Sequence, residues 1–427
     1  MADATPTAGE DACGAERAAT IVRQFFRGEY EAVSGKLGPE LRDELPPDRL
    51  EALWENSLSG RLGAFEGIDD VTYDEAAREA TVYVASTGES AKAEVQFGDD
   101  GVVTGFLITQ AHGEPGDGDD YAPPAYADTD GITERELPVP CEVDELGGTL
   151  TLPTGDGPHP GVVLVHGSGP NDRDASNGPN RPFQDLAWGL ASAGVAVLRY
   201  DKRSYATGWE IESGATPDDE TVRDAVAAVE TLGSVDAIDE TVVVGHSVGG
   251  SLAPRIAERA DVAGVVCLAG TPRHLTELIV DQTEFMATID GHCTADDRAE
   301  FDEIAAAAER IRAGDVESGE WLVDHPASYW RFWNEYDPAA TLRSSSVPTR
   351  IVHFGRDVQV TRADLAVWTR AVGDCDHVAV ERYPGLNHLG IPTGGKRTPA
   401  EYGEHGDVAA ALVTDIAGWV TQCRSDT

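Results

Sequence analysis

The chain is 427 residues long, enough for two domains of unequal size and a substantial core. It carries 76 acidic residues against 32 basic ones, a formal net charge of −44, and only four lysines: Lys36, Lys92, Lys202 and Lys396. Such a balance excludes a nucleic-acid partner, since nothing would neutralise phosphates, and no apolar run reaches the 18 residues of a membrane span.

The acidic residues are spread along the chain rather than gathered in one tail. Self-repulsion on this scale destabilises a compact fold in dilute buffer, while molar salt shortens the screening length to about 3 Å. The expected location is therefore a cytoplasm with high internal salt. The opening stretch, Met1 to Pro6, has neither the basic patch nor the apolar run of a signal peptide.

Residues 15–112 read as a small α+β domain. Ala18, Ile21, Val22 and Phe25 have helical spacing, and so do Leu50, Leu53, Trp54 and Leu58 after Pro46-Pro47. Ala91, Ala93, Val95 and Phe97 alternate with Lys92, Glu94 and Gln96, and Gly98-Asp99-Asp100-Gly101 turns that strand into Val102–Ile108. Helices followed by an antiparallel sheet predict helices packed on one sheet face. No acid/base pair or ligand cluster occurs here. Residues 113–129, rich in Gly, Pro and Asp, read as an exposed linker.

From residue 130 to 427, strands alternate with helices, which predicts a mostly parallel sheet. The strands include Gly161–Val165, Val195–Tyr200, Thr241–Val244, Val262–Leu268 and Arg350–Phe354. Alternation stops over about 272–346, a helical stretch ending in Tyr329, Trp330, Phe332, Trp333 and Tyr336. It is expected to form a cap over the carboxyl edge of the sheet, where α/β folds bind ligands. The aromatic cluster suits cap packing and substrate lining equally.

Gly245-His246-Ser247-Val248-Gly249 lies where the β-branched run Val242–Val244 meets the helical spacing of Leu252, Ala253, Ile256 and Ala257. A G-x-S-x-G sequence between strand and helix is the setting of a nucleophile elbow. A serine hydroxyl needs a base to take its proton, and the base needs an acid to hold its tautomer. In the order Ser, acid, His, the candidates are Ser247, Asp357 in the turn after Arg350–Phe354, and His388 in the loop after the strand Val378–Val380. Asp374 and Asp376 are rival acids, but they precede that last strand, at the wrong sheet edge. The expected oxyanion donors are the backbone N–H groups of Val248 and of Ser168, with Gly167 as the alternative to Ser168. His246 and His353 are expected to be structural.

No C-x-x-C, H-E-x-x-H, P-loop or dinucleotide fingerprint occurs, so no metal or cofactor is expected. Cys267, inside Val265-Val266-Cys267-Leu268, reads as a small buried hydrophobe.

Together His166–Asp174 (HGSGPNDRD), Phe183–Arg203, the GHSVGG elbow and the Asp357 and His388 loops resemble carboxylesterases of the α/β-hydrolase superfamily. More narrowly they resemble a subgroup with an extra N-terminal cystatin-like, cone-shaped α+β domain. The resemblance implies an α/β-hydrolase fold and hydrolysis of short-acyl esters by Ser247, Asp357 and His388. Ser204-Tyr205 and the acidic surface depart from the pattern. The expected partner is a small-molecule ester, with self-association into a homo-oligomer admitted. Two rivals stand: a serine peptidase of the same fold, and an inactive hydrolase-fold binding protein.

Overall fold

The computed structural model describes residues 11–54, 58, 62, 64–74, 78–86, 91–98, 101–110, 121–142, 145–155, 157–207, 214–289, 291 and 293–423. It forms two compact units, Met1–Tyr121 and Ala122–Thr427.

In the first unit the helix Asp11–Phe26 buries Ala18, Ile21, Val22 and Phe25, one apolar stripe at helical spacing. Four antiparallel strands, Phe65–Asp74, Glu79–Ser86, Ala91–Phe97 and Val103–Gln110, pair in chain order. Ala91, Ala93, Val95 and Phe97 point into the core, while Lys92, Glu94 and Gln96 point outward. Phe25 fixes helix to sheet, meeting the rings of Tyr30, Trp54 and Phe106 edge-on at 5.7, 6.3 and 5.7 Å.

The second unit is built on eight strands: β1 (Ile132–Glu136), β2 (Gly148–Pro153), β3 (His159–Val165), β4 (Ala196–Tyr200), β5 (Ile238–His246), β6 (Gly264–Leu268), β7 (Thr349–Phe354) and β8 (Val378–Tyr383). Their order across the sheet is β8-β7-β6-β5-β3-β4-β2-β1. Only β2 runs against the others, pairing antiparallel with both β4 and β1. The central strands are apolar on both faces. Val163, Val243, Val265 and Ile351 face one core, and Val162, Val242, Val266 and Val352 the other.

Helices cover both faces. Alpha helices α1 (Pro182–Ser192) and the last one, α9 (Ala410–Cys423), supply Phe183, Leu186, Leu412 and Ile416 to one core. On the other lie α2 (Arg223–Gly233), α3 (Val248–Ala257) and α8 (Arg362–Val372), with Val229, Leu252 and Trp368. Residues 122–129, read from the sequence as linker, are packed on this unit. Tyr126 joins the α1/α9 core, and the Asp128 N–H donates to Ser192 Oγ at 2.8 Å.

Between β6 and β7 runs the insertion, with α4 (Leu275–Thr288), α5 (Ala295–Arg312), α6 (Ala327–Glu335) and α7 (Pro338–Ser344). The sequence reading expects this segment to be helical, but it is not helical throughout. Trp321–Leu322 and His325–Pro326 form a two-residue hairpin through Val323 and Asp324, both at positive φ. Neither turn residue is a glycine, so no local signal marks it. The aromatic residues of α6 are buried in the core. The Trp330 indole donates to the Leu322 carbonyl at 2.7 Å, and the Tyr336 hydroxyl to the Ser251 carbonyl at 2.8 Å. Arg255 stacks on Phe332, 4.8 Å from its centroid, so α6 is pinned to α3. Cys267 is fully buried, and burial pushes its thiol up to about 12. No helix among the described residues is long and apolar enough to cross a membrane.

Candidate active site

The β5 strand delivers its chain into a very tight turn. Ser247 sits at φ 55°, ψ −120°, a conformation that costs a non-glycine residue about 1–3 kcal/mol. Its N–H donates to the Leu268 carbonyl at 2.8 Å, and its own carbonyl begins α3 by accepting from the Ser251 N–H at 3.0 Å. A Cβ on Gly245 would strike the Gly249 carbonyl, and one on Gly249 would strike the carbonyls of Val165 and His166. Those contacts explain both glycines of the pattern. Ser247 stays half-exposed at the carboxyl edge of the sheet.

The candidate acid and base meet across two neighbouring strand ends. Asp357 follows β7 and His388 follows β8. The His388 Nδ1–H donates to Asp357 Oδ2 at 2.7 Å, and both side chains are buried. Asp357 Oδ1 accepts two further bonds, from the N–H groups of Gln359 at 2.7 Å and Val360 at 3.0 Å. These bonds fix the carboxylate and the imidazole tautomer, leaving Nε2 as the free base. The rival Asp374 is exposed and held by Arg343 at 2.6 Å, and Asp376 is exposed on the same loop.

His246 ties this pair to the elbow. Its Nε2–H donates to the His388 carbonyl at 2.8 Å, with ring centroids 4.7 Å apart. Among the described residues, Ser247 Oγ makes no hydrogen bond to His388. Such contacts commonly tighten only on substrate binding. Burial, helped by His388, pushes the His246 ring down to about 3, and burial takes His166 down to about 4. Both are neutral at pH 7 and put no competing positive charge beside the base.

The loop after β3 runs against the serine. A Cβ built on Gly167 would lie 3.5 Å from Ser247 Oγ. His166 anchors the start of the loop, its Nε2–H donating to the Tyr200 carbonyl at 2.6 Å. Asn171 Nδ2 donates to the carbonyls of Ser168 at 3.0 Å and Gly169 at 2.9 Å. Val248 opens α3, so its N–H is one of the helix's unsatisfied donors.

Two features escaped the sequence reading. Asn387 is buried, and its Oδ1 accepts from the N–H groups of Leu389 at 3.0 Å and Ile391 at 3.1 Å, shaping the loop that carries His388. Its signal, an Asn beside the loop histidine, is a turn former's. The second is a set of ion pairs: Lys202 with Glu220 at 2.7 Å and Arg203 with Asp224 at 2.5 Å, buried on both sides, and buried Arg199 with half-buried Asp174 at 2.6 Å. Burial would raise the Glu220 carboxyl, but Lys202's charge and hydrogen bond outweigh it and hold it low.

The profile of the Alpha/beta hydrolase family matches residues 162–394, from β3 to just past His388. The chain belongs to the alpha/beta hydrolase family. It is also 31% identical over 410 residues to Esterase EstD of Thermotoga maritima, covering 95% of each chain. Solved structures at lower identity include Est1E from Butyrivibrio proteoclasticus (15% identical, 68% of this chain and 99% of that one, TM-score 0.43). Another is a bacterial heroin esterase (17% identical, 71% and 87%, TM-score 0.45).

Proposed function

We propose that this family member is a carboxylic ester hydrolase working through an acyl-enzyme on Ser247. His388 Nε2 takes the Ser247 proton as Oγ attacks the ester carbonyl. The resulting oxyanion lies between the N–H groups of Val248 and Ser168, and the proton then passes to the leaving alkoxide. Water repeats the sequence to release the acid. Asp357 holds the tautomer and stabilises the imidazolium. The observation that carries the reading is the buried 2.7 Å bond between His388 and Asp357, beside a serine held at positive φ. The relative named an esterase, 31% identical over 95% of the chain, supports an ester over a peptide substrate.

The test is a panel of p-nitrophenyl esters of increasing acyl length beside peptide anilides, with fluorophosphonate labelling to locate the nucleophile. Turnover highest on short-acyl esters and a label on Ser247 are expected. Anilide turnover alone would make it a peptidase, and no label with no turnover would make it a binding protein.

High internal salt is part of the same proposal, from the net charge of −44. As the screening length grows from about 3 Å in molar salt to about 10 Å at 0.1 M, carboxylate repulsion rises. Melting temperature and ester turnover should fall together as potassium chloride is dialysed away. A melting temperature unchanged in dilute buffer would remove the salt adaptation and leave the chemistry untouched.

A further inference from the structure

One of the chain's four lysines lies buried beneath the candidate oxyanion loop. Lys202 Nζ donates to the Gly167 carbonyl at 2.9 Å and to Glu220 Oε1 at 2.7 Å, and both side chains are under a tenth exposed. Removing an ammonium and a carboxylate from water is costly, so apolar residues in place of both Lys202 and Glu220 would hold the fold at least as well. What the lysine alone supplies is a charged donor at one particular carbonyl.

That carbonyl shares a peptide plane with the Ser168 N–H. In a trans peptide the C=O and N–H point in opposite directions, and the plane is rigid. Whatever fixes the Gly167 oxygen therefore aims the Ser168 hydrogen the opposite way. The Gly167 residue itself lies against Ser247. A cation on the carbonyl oxygen also polarises the amide and strengthens its N–H as a donor. Asn171 holds the next two carbonyls, of Ser168 and Gly169, but not this one.

We propose that Lys202 is a positioning residue that aims and polarises the Ser168 N–H toward the oxyanion by holding the Gly167 carbonyl from behind. Glu220 keeps the ammonium in place. The Tyr329 hydroxyl, from α6 of the insertion, lies against Glu220, so the insertion sets the far end of the chain of contacts. The inference rests on the serine-hydrolase reading above.

The experiment replaces the pair with uncharged groups of similar size, Lys202→Met with Glu220→Gln, which leaves no buried charge unpaired. Loss of one oxyanion donor costs about 10²–10³ in kcat, so mis-aiming one should cost about 10–100-fold with KM within about two-fold. The Ki of a trifluoromethyl ketone, which forms an oxyanion on the serine, should rise by the same factor. The Ki of the matching plain ketone should not move. A folded double variant with wild-type kcat and trifluoromethyl ketone affinity overturns the inference. If the double variant does not fold, Glu220→Gln alone decides: a kcat loss of about three-fold or more at constant KM supports it, and wild-type kcat overturns it. Fluorophosphonate labelling of the unaltered protein separates the two levels. Without a label on Ser247 the serine-hydrolase reading fails first, and with it only the lysine's role is at stake.

Discussion

The two units bury different things. Among the described residues, the first buries apolar side chains and, of polar ones, Ser34. The second buries Asp185, Arg199, Lys202, Arg203, Glu220, Asp224, Asp357, Asp364, Asn387 and His388 as well. Burying a charge without a partner is expensive, and even a paired one seldom outperforms an apolar substitute. A fold that merely needed to be stable could be built like the first unit. Buried charges of this kind mark where the second unit departs from that plan.

Substitutions can break that contrast. The largest effect is expected from Ser247→Ala, which should lower kcat for a short-acyl ester by about 10⁶ with little change in melting temperature. Asp357→Asn should cost about 10⁴ by presenting the wrong histidine tautomer, whereas Asp374→Asn should cost nothing measurable in steady-state turnover. If Asp374→Asn were the crippling change, the acid would have been misplaced.

Stability should respond in the opposite sense. Phe25→Ala in the first unit should remove about 3–5 kcal/mol by opening a cavity among the rings of Tyr30, Trp54 and Phe106, with kcat per folded molecule unchanged. Chemical denaturation beside active-site titration would show it, and a fall in kcat at full occupancy would tie the first unit to catalysis.

The last predicted effect is graded with pH. His166 has its pKa held down at about 4 by burial, below the ordinary value of 6.5. Above pH 6.5 it is neutral folded or unfolded, and the linked stability is intact. As pH falls toward 4 the unfolded chain binds the proton first, so stability of the second unit drops by up to about 3 kcal/mol. His246, pushed down to about 3, adds a loss of the same sign. Denaturant midpoints between pH 7 and 4 should show the second unit weakening in that window. A flat profile would mean that His166 is not buried neutral.

Much of this was legible in the sequence, for identifiable reasons. The β-branched runs of the central strands and the G-x-S-x-G at the end of β5 are local signals, and chain order with strand-end position pointed to Asp357 and His388 over Asp374 and Asp376. The strand β2 was missed because Gly148, Thr149 and Thr151 dilute its pattern, although Thr151 is fully buried as the hydroxyl partner of Arg199 at 2.8 Å. The ion pairs were invisible for a different reason. Lys202 and Glu220 are 18 residues apart, and Arg199 and Glu134 are 65 apart, so only the assembled sheet makes them neighbours. The cap hairpin has no glycine where its chain turns.

The proposed base, His388, hangs from the outermost strand. β8 is paired on one side only, to β7, and none of its residues is fully buried, while the proposed nucleophile stands at the end of β5 with neighbours on both sides. Strands of this kind open at the lowest free energy in a fold. Heat should therefore carry His388 away from a serine that has not yet moved. Activity would then fade while most of the sheet is still assembled, and the first symptom of ageing in this enzyme would be silence rather than precipitation.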